Sequence, residues 1–273
     1  LKAKIKLKKW ITKQYIKQNL EVKMLNRLKN ITKTKSFHIC MIIVIITVIL
    51  FVVGMLALRY NVEGETNMPF KLSKITIISS QEGIDDGQTD TRWSFDVHQA
   101  NDIYLYIEKN NEYDKTEIIK WVNIDNFQIE TENKDNVKIY KPDTEEENVL
   151  FKYKDEDIVE SLEYIGDVES DLKNLKISNQ GGIIAFRCSN NYVAKYKSDE
   201  EEINHGELLK KAGITEEKLK MSLTFNLNII LESGKEYQAE IKTELPTGNV
   251  IEEGNTSIEI TDLKDIVFKR IKN

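Results

Sequence analysis

The sequence predicts a single transmembrane α-helix followed by an antiparallel β-sandwich that contains one small helical insert. Three observations carry this prediction: an uncharged apolar stretch, a reversal of charge across that stretch, and a two-residue alternation of apolar and polar side chains beyond it. We divide the chain into a basic cytoplasmic tail (1–38), a membrane helix (39–58), a linker (59–69) and an extracytoplasmic domain (70–273).

The apolar stretch at residues 39–58 has the length and composition of a membrane span. Fourteen of its twenty residues are Ile, Leu, Val or Phe, and none is charged. Twenty helical residues extend ~30 Å, which matches the hydrocarbon thickness of a bilayer. The stretch is longer than the apolar core of a cleaved signal peptide, and its exit lacks a small-x-small cleavage site. We therefore expect an uncleaved signal-anchor.

The distribution of charge predicts which side of the membrane each part occupies. Residues 1–38 contain twelve Lys and Arg and one acid, whereas residues 59–273 contain 27 Lys and Arg and 44 Asp and Glu, a net charge of −17. Cationic flanks stay cytoplasmic, so we expect the domain to lie outside the cell. A domain of this size with one thiol, Cys188, is typical of bacterial rather than eukaryotic secretion, so we expect a bacterial plasma membrane.

Strand patterns fill most of the chain after residue 70. The clearest pair is 223–231 and 237–245, in which apolar residues alternate with polar ones on either side of a Ser-Gly turn. Period-two alternation with one polar face indicates antiparallel strands that are packed on one side. Similar patterns predict strands at 71–79, 93–97, 103–107, 118–122, 126–130, 137–140, 149–153, 175–177, 183–188, 192–196 and 265–271.

One helical insert interrupts the strands. Asn204 is a suitable N-cap, and Leu208 and Leu209 would face the sheet before Gly213 ends the helix. Thr215 would cap a short second turn. The acidic runs at 145–147, 155–157 and 199–202 fall between strands, where we expect solvated loops.

The sequence contains no recognisable catalytic or metal-binding motif. Cys188 follows Arg187, but adjacent residues of a strand point to opposite faces, so we expect Cys188 to be a core residue. The domain after the apolar stretch has two histidines, His98 and His205, which are too few for most zinc sites. The acidic run at 85–90 lacks the ligand spacing of a calcium loop, which favours an acidic turn. We predict no catalytic residue, no metal site and no cofactor.

Tyr104 and Tyr106 are the candidate binding residues. In the run 103–107 the aliphatic residues and the tyrosines alternate, so an aliphatic core face leaves both phenols outside. Exposed aromatic pairs suit sugar stacking or contact with a protein. The alternative is that both rings pack beneath a loop or simply decorate the strand.

These observations favour a non-enzymatic binding or scaffolding module of the cell envelope. Its acidic domain should be repelled by nucleic acid, so we expect a neutral glycan or an envelope protein as partner, besides the membrane itself. Two alternatives stay open: an envelope enzyme that acts on glycan or peptide near the membrane, and a sensor that passes an outer signal to the tail.

Overall fold

The computed structural model describes residues 23–24, 35–66, 68–113, 115–132, 134–144 and 149–271. Most of the predicted basic tail and the acidic run 145–147 lie outside these residues. The chain divides between Arg59 and Tyr60 into two compact units, which we take in turn.

The apolar helix α1, Lys35–Thr66, belongs to the first unit up to Arg59. Its segment His38–Leu56 has a mean hydropathy of 3.3 and is long and apolar enough to cross a membrane. None of this segment is buried against other described parts of the protein, as suits a helix that faces lipid. The one hydroxyl within it, on Thr47, donates to the carbonyl of Ile43 at 2.9 Å, so it needs no other partner in an apolar surrounding.

Residues 59–66, predicted to belong to a linker, continue this helix instead. Gly64 is the only strong helix-disfavouring residue in this stretch, and one glycine costs a helix only about 1 kcal/mol. Pro69 restricts the residue before it to extended backbone, and β1 begins immediately afterwards. The helix therefore ends at Thr66, shortly before the proline.

The second unit is the predicted β-sandwich. Its first sheet, sheet A, has the strand order β10-β1-β2-β7-β4, and its second, sheet B, has the order β11-β9-β8-β3-β5-β6. Among the described strands, every pairing is antiparallel except that of β5 with β6. The strands are β1 Phe70–Asp85, β2 Trp93–Lys109, β3 Ile119–Glu130, β4 Val137–Tyr140, β5 Leu162–Asp167, β6 Lys176–Ser178, β7 Gly181–Ser198, β8 Ser222–Leu231, β9 Glu236–Glu244, β10 Asn255–Ile260 and β11 Lys269–Ile271.

Alternate residues of both sheets form the main core. Ile103, Leu105 and Ile107 of β2 are at most 1% exposed and share a cluster with alternate residues of β8. Phe186 of β7 meets Phe225 of β8 edge to face, with ring centroids 5.3 Å apart. The two-residue alternation read from the sequence is therefore the packing of one sheet on the other.

A buried tyrosine joins the two sheets at one side. The hydroxyl of Tyr164, on β5, donates to the carbonyl of Ala185 at 2.6 Å and accepts from its N–H at 3.2 Å. Ala185 lies on β7 just beyond the last residue that pairs with β4. The phenol thus satisfies backbone groups that would otherwise be buried without a partner.

Helical segments pack near the C-terminal ends of the long strands β1 and β7 and the N-terminal end of β2. They are the 3₁₀ turn His205–Glu207 and the helices α2 (Leu208–Lys211), α3 (Glu216–Leu219) and α4 (Gly248–Glu253). Leu208 and Leu209 pack with Phe95 and Val97 of β2 in a second apolar cluster, as the sequence predicts. The Gln81 side chain fixes this contact, because it accepts from the Leu209 N–H at 2.6 Å and donates to the Gly206 carbonyl.

The predicted caps of the insert are confirmed in part. Asn204 accepts a hydrogen bond from the Gly206 N–H at 3.0 Å and so begins the insert. Gly213 follows α2 with φ +70°, a conformation that favours glycine. Thr215 precedes α3, but its side chain makes no capping hydrogen bond, so that prediction is wrong. The helix at 248–253 was not predicted.

Several strand predictions need correction. The patterns at 118–122 and 126–130 belong to the single strand β3, which is irregular near Asn126, a residue at φ +53°. Those at 183–188 and 192–196 likewise belong to β7. The segment 149–153 is not a strand, because Phe151 and Tyr153 instead lie over Arg187. Only residues 269–271 of the last predicted strand are extended, and β5 and β10 were not predicted.

One acidic run that was expected to be solvated contains a buried carboxylate. Asp157 is 5% exposed, and its carboxylate lies 3.5 Å from the Lys141 ammonium. Burial of a carboxylate is tolerated where a cation accompanies it, which a count of charges along the sequence does not reveal.

Candidate functional site

The candidate site is the outer face of sheet A, the face turned away from sheet B. Even-numbered residues of β2 point to it, and its neighbours β1 and β7 contribute alternate residues on either side. Tyr104 and Tyr106 lie there half-buried, whereas Ile103, Leu105 and Ile107 are buried in the core. The predicted alternation of this strand is confirmed; its use in binding stays a prediction.

Two aliphatic side chains extend the surface formed by the tyrosines. Ile183 of β7 lies directly opposite Tyr106, and Ile78 of β1, 41% exposed, lies diagonally from Tyr104 within reach of its ring. We call Ile78, Tyr104, Tyr106 and Ile183 the tyrosine face. The two isoleucines were not predicted as site residues, although the same alternation in β1 and β7 identifies them.

The two tyrosines have different surroundings, and the ring of each stays accessible in part. Burial, and next the charge of Asp102, raise the pKa of Tyr104 to about 12, so its hydroxyl remains a hydrogen-bond donor at neutral pH. Tyr106 has the Lys74 ammonium over its ring, 4.3 Å from the centroid, and Lys74 in turn pairs with Glu259 at 2.7 Å. A shallow cavity of about 250 Å³ adjoins Tyr106, lined by residues 106–109 of β2 and 180–183 around the start of β7.

An ion-pair network lies beside the tyrosine face on the same side of the sheet. Arg187 donates to both carboxylate oxygens of Asp102, from Nε at 2.6 Å and from Nη2 at 3.1 Å, and to Glu82 from Nη1 at 3.1 Å. The rings of Phe151 and Tyr153 lie 5.2 and 5.4 Å from its guanidinium carbon. Only 6% of Arg187 is exposed, so this cation is enclosed by two acids and two rings.

The protonation of this network follows from burial and from its ion pairs. Burial disfavours the charged guanidinium, but the hydrogen bonds and charge of Asp102 outweigh it and raise the pKa of Arg187. Burial also raises the pKa of Asp102, although its hydrogen bonds to Arg187 oppose that shift. At neutral pH, removal of the arginine would therefore leave a carboxylate in a poorly solvated place.

His98 lies at the covered end of the same face. It is 2% exposed, its ring lies between those of Tyr153 and Tyr192, and its Nδ1 is 3.0 Å from the side-chain oxygen of Asn191. Burial lowers the pKa of His98, so the ring is neutral at pH 7. The Ser189 hydroxyl donates to Asn191 at 2.8 Å, so the geometry is that of a packed polar cluster, in which the imidazole is not positioned to activate the serine.

Cys188 points into the core, opposite to Arg187. It is fully buried, and burial raises the pKa of its thiol to about 12, so the thiolate that nucleophilic catalysis requires is disfavoured. The thiol lies in the main apolar cluster between the sheets, on the other side of sheet A from His98 and Arg187. The expectation that Cys188 is a core residue is confirmed.

The acidic run 85–90 forms the end of the β1–β2 hairpin, as expected. Asp85 and Asp86 accept hydrogen bonds from the N–H groups of Gly87 and Gln88, and Asp90 pairs with Lys197 at 2.9 Å. Over the described ranges, no three His, Cys, Asp or Glu side chains come together as a metal site would require.

Comparison of this chain with protein-family models, with curated proteins and with solved structures gives no match.

The ion-pair network should be strongly coupled when it is tested by substitution. We expect Arg187→Ala to lower the free energy of unfolding of residues 60–273 by about 3 kcal/mol, because the half-buried Asp102 loses its buried partner. Adding Asp102→Asn should restore part of that loss, measured by urea unfolding of both single variants and the double variant.

The exposed pair Lys210–Glu252 provides a control, since Lys210→Ala should leave the unfolding midpoint nearly unchanged. If the changes in unfolding free energy for Arg187→Ala and Asp102→Asn add to within ~0.5 kcal/mol in the double variant, the two residues are not coupled.

Proposed function

We propose that this chain is a membrane-anchored, non-catalytic binding module of a bacterial cell envelope, which contacts its partner through the tyrosine face. The helix would hold the protein in the plasma membrane as an uncleaved signal-anchor. The β-sandwich would lie outside the cell.

The orientation is supported by charge on the two sides of the span. The tail before residue 39 carries a net +11, and Lys29, Lys33 and Lys35 lie within ten residues of His38, whereas only Arg59 follows the span before the first acids. Lys and Arg near a span favour the cytoplasmic side. The net charge of −17 beyond the span poses no obstacle, because acidic residues contribute little to orientation.

Protease added to intact cells should remove the domain and spare the tail. An epitope after residue 273 should disappear on digestion, while an epitope before residue 24 stays until the cells are permeabilised. A C-terminal epitope that is protected in intact cells would refute the proposed topology.

The proposed binding role rests on one observation: the outer face of sheet A is covered at one end and partly exposed at the other. At one end Arg187 and His98 are covered by Phe151, Tyr153 and Tyr192. At the other end Tyr104 and Tyr106 remain partly exposed beside the exposed Ile78. A sheet face that is covered over half its length and open over aromatic and aliphatic side chains suits contact with another molecule.

The chemistry of the tyrosine face favours a neutral glycan or a basic patch on an envelope protein. Its two rings can stack on the apolar face of a sugar, and the neutral hydroxyl of Tyr104 can donate a hydrogen bond. The domain is strongly acidic, so anionic polymers, including nucleic acid, would be repelled. The cavity of about 250 Å³ beside Tyr106 could receive one sugar ring or one side chain of a partner.

Truncation of either tyrosine should remove binding without unfolding the domain. We expect Tyr104→Ala and Tyr106→Ala each to weaken capture of envelope material by more than ~1 kcal/mol, because contact energy concentrates in a few aromatic residues. Binding would be measured by pull-down with the immobilised domain and stability by its melting temperature.

The matched control is Trp121→Ala, since Trp121 is a partly exposed aromatic residue on the outer face of sheet B. This variant should bind as the unchanged protein does. Tyrosine variants that fold and bind normally would refute the assignment of the site.

A further inference from the structure

Strand β10 leaves one edge of sheet A open. It pairs with β1 on one side, in the register Thr256 to Ser79 and Ile258 to Ile77, and among the described residues no strand pairs with its other side. The Gln81 N–H donates to the Gly254 carbonyl at 2.9 Å. Because ladder bonds alternate along an antiparallel strand, the backbone groups of Asn255, Ser257 and Glu259 point away from β1.

The other sheet edges are short, covered or charged. The outer side of β4 is bonded to residues 157–159, through Val159 N–H to Ile139 and Lys141 N–H to Asp157. The outer side of β6 is likewise bonded, because Lys176 and Asp171 exchange backbone hydrogen bonds. The part of β9 that extends past β11 has charged residues at alternate positions, Glu240, Lys242 and Glu244, a common means of preventing strands from pairing.

β10 has none of these protections. Its sequence, Asn-Thr-Ser-Ile-Glu-Ile, contains no proline or lysine, and its register with β1 has no bulge. Its single charge, on Glu259, is paired with Lys74. Unpaired strand edges of this kind are templates for a further strand.

We infer that β10 pairs with β10 of a second copy of this chain, antiparallel and symmetric about Ser257. In this register Ser257 faces its own copy, and Asn255 faces Glu259. The N–H and C=O groups of all three outward-facing residues then find partners, so the register uses every free group of the edge.

The side chains favour the same register. Asn255 can donate its amide hydrogens to the carboxylate of Glu259, and Thr256 lies opposite Ile258 on the core side of the sheet. No like charges meet. Shifting the pairing by two residues toward α4 would instead bring Glu259 opposite Glu253 and leave two like charges together. Two copies held in one membrane are also concentrated relative to free domains, which favours an edge contact of this small size.

Disulfide trapping of the full chain in membranes tests the register. All variants carry Cys40→Ala, which removes the exposed thiol of the membrane helix and leaves only the buried Cys188. Ser257→Cys should form a dimer on mild oxidation, since facing residues lie about 5.5 Å apart between Cα atoms, within disulfide range. Asn255→Cys alone should react on the order of tenfold more slowly, because its two copies would be roughly 14 Å apart.

Chains with Asn255→Cys and chains with Glu259→Cys, produced in one cell, should cross-link to each other. Equal rates for Ser257→Cys and Asn255→Cys would overturn the inference, as would a product that contains a different protein. Failure of Ser257→Cys to cross-link would overturn it as well.

A charge exchange at the symmetry axis provides a test without thiols. Ser257→Lys and Ser257→Glu should each abolish the dimer, seen by chemical cross-linking in membranes, because like charges then face each other. Co-production of the two variants should restore it. Ser257 pairs with Ile78 of the tyrosine face, so the two proposals are separated from the other side. Tyr104→Ala changes a residue of β2, which β1 separates from β10, so this variant should lose capture of envelope material and still form the Ser257→Cys dimer. A dimer that survives both single substitutions would refute the proposed contact.

Discussion

The two-residue period of β2 is the constraint on which the rest of the domain depends. β2 lies between β1 and β7, so it is paired on both sides and its register cannot shift without turning Ile103, Leu105 and Ile107 out of the core. The same period that buries these three residues holds Tyr104, Tyr106 and Asp102 on the outer face. Core and candidate site are therefore two consequences of one alternation.

The outer face of sheet A has a covered half and an open half, and the hydrogen bonds and ring contacts of Arg187 determine which half is covered. Arg187 is stabilised by Asp102 and Glu82 on its own sheet and by rings that belong to the segment after β4. That segment covers one half of the face and stops short of the tyrosines. The ion pairs thus fix where the covering segment lies, and the covering segment in turn defines the open surface.

Features that depend on residues close together in the sequence could be predicted, whereas contacts between residues far apart in the sequence could not. The uncharged apolar run at 39–58, the alternation in 223–231 and 237–245, and the alternation at Tyr104 are local patterns, and each agrees with the structure. The contact of Arg187 with Glu82 joins residues 105 positions apart, so no local pattern predicts it. The segment 149–153 was mistaken for a strand because its apolar residues alternate, although they pack on a guanidinium and not in a sheet. The short helix 248–253 depends on burial of Val250 and Ile251 in the second cluster, which propensity alone does not reveal.

If the open half of this face is a contact surface, hydroxyl-radical footprinting should detect the contact on intact cells. Oxidation of Tyr104 and Tyr106 would be compared between intact cells and full-length protein extracted in detergent, with the exposed Tyr192 as an internal reference. We predict that both tyrosines are oxidised in the extracted protein and protected on cells, while Tyr192 is oxidised equally in the two. Equal oxidation of Tyr104 and Tyr106 in both preparations would contradict this account.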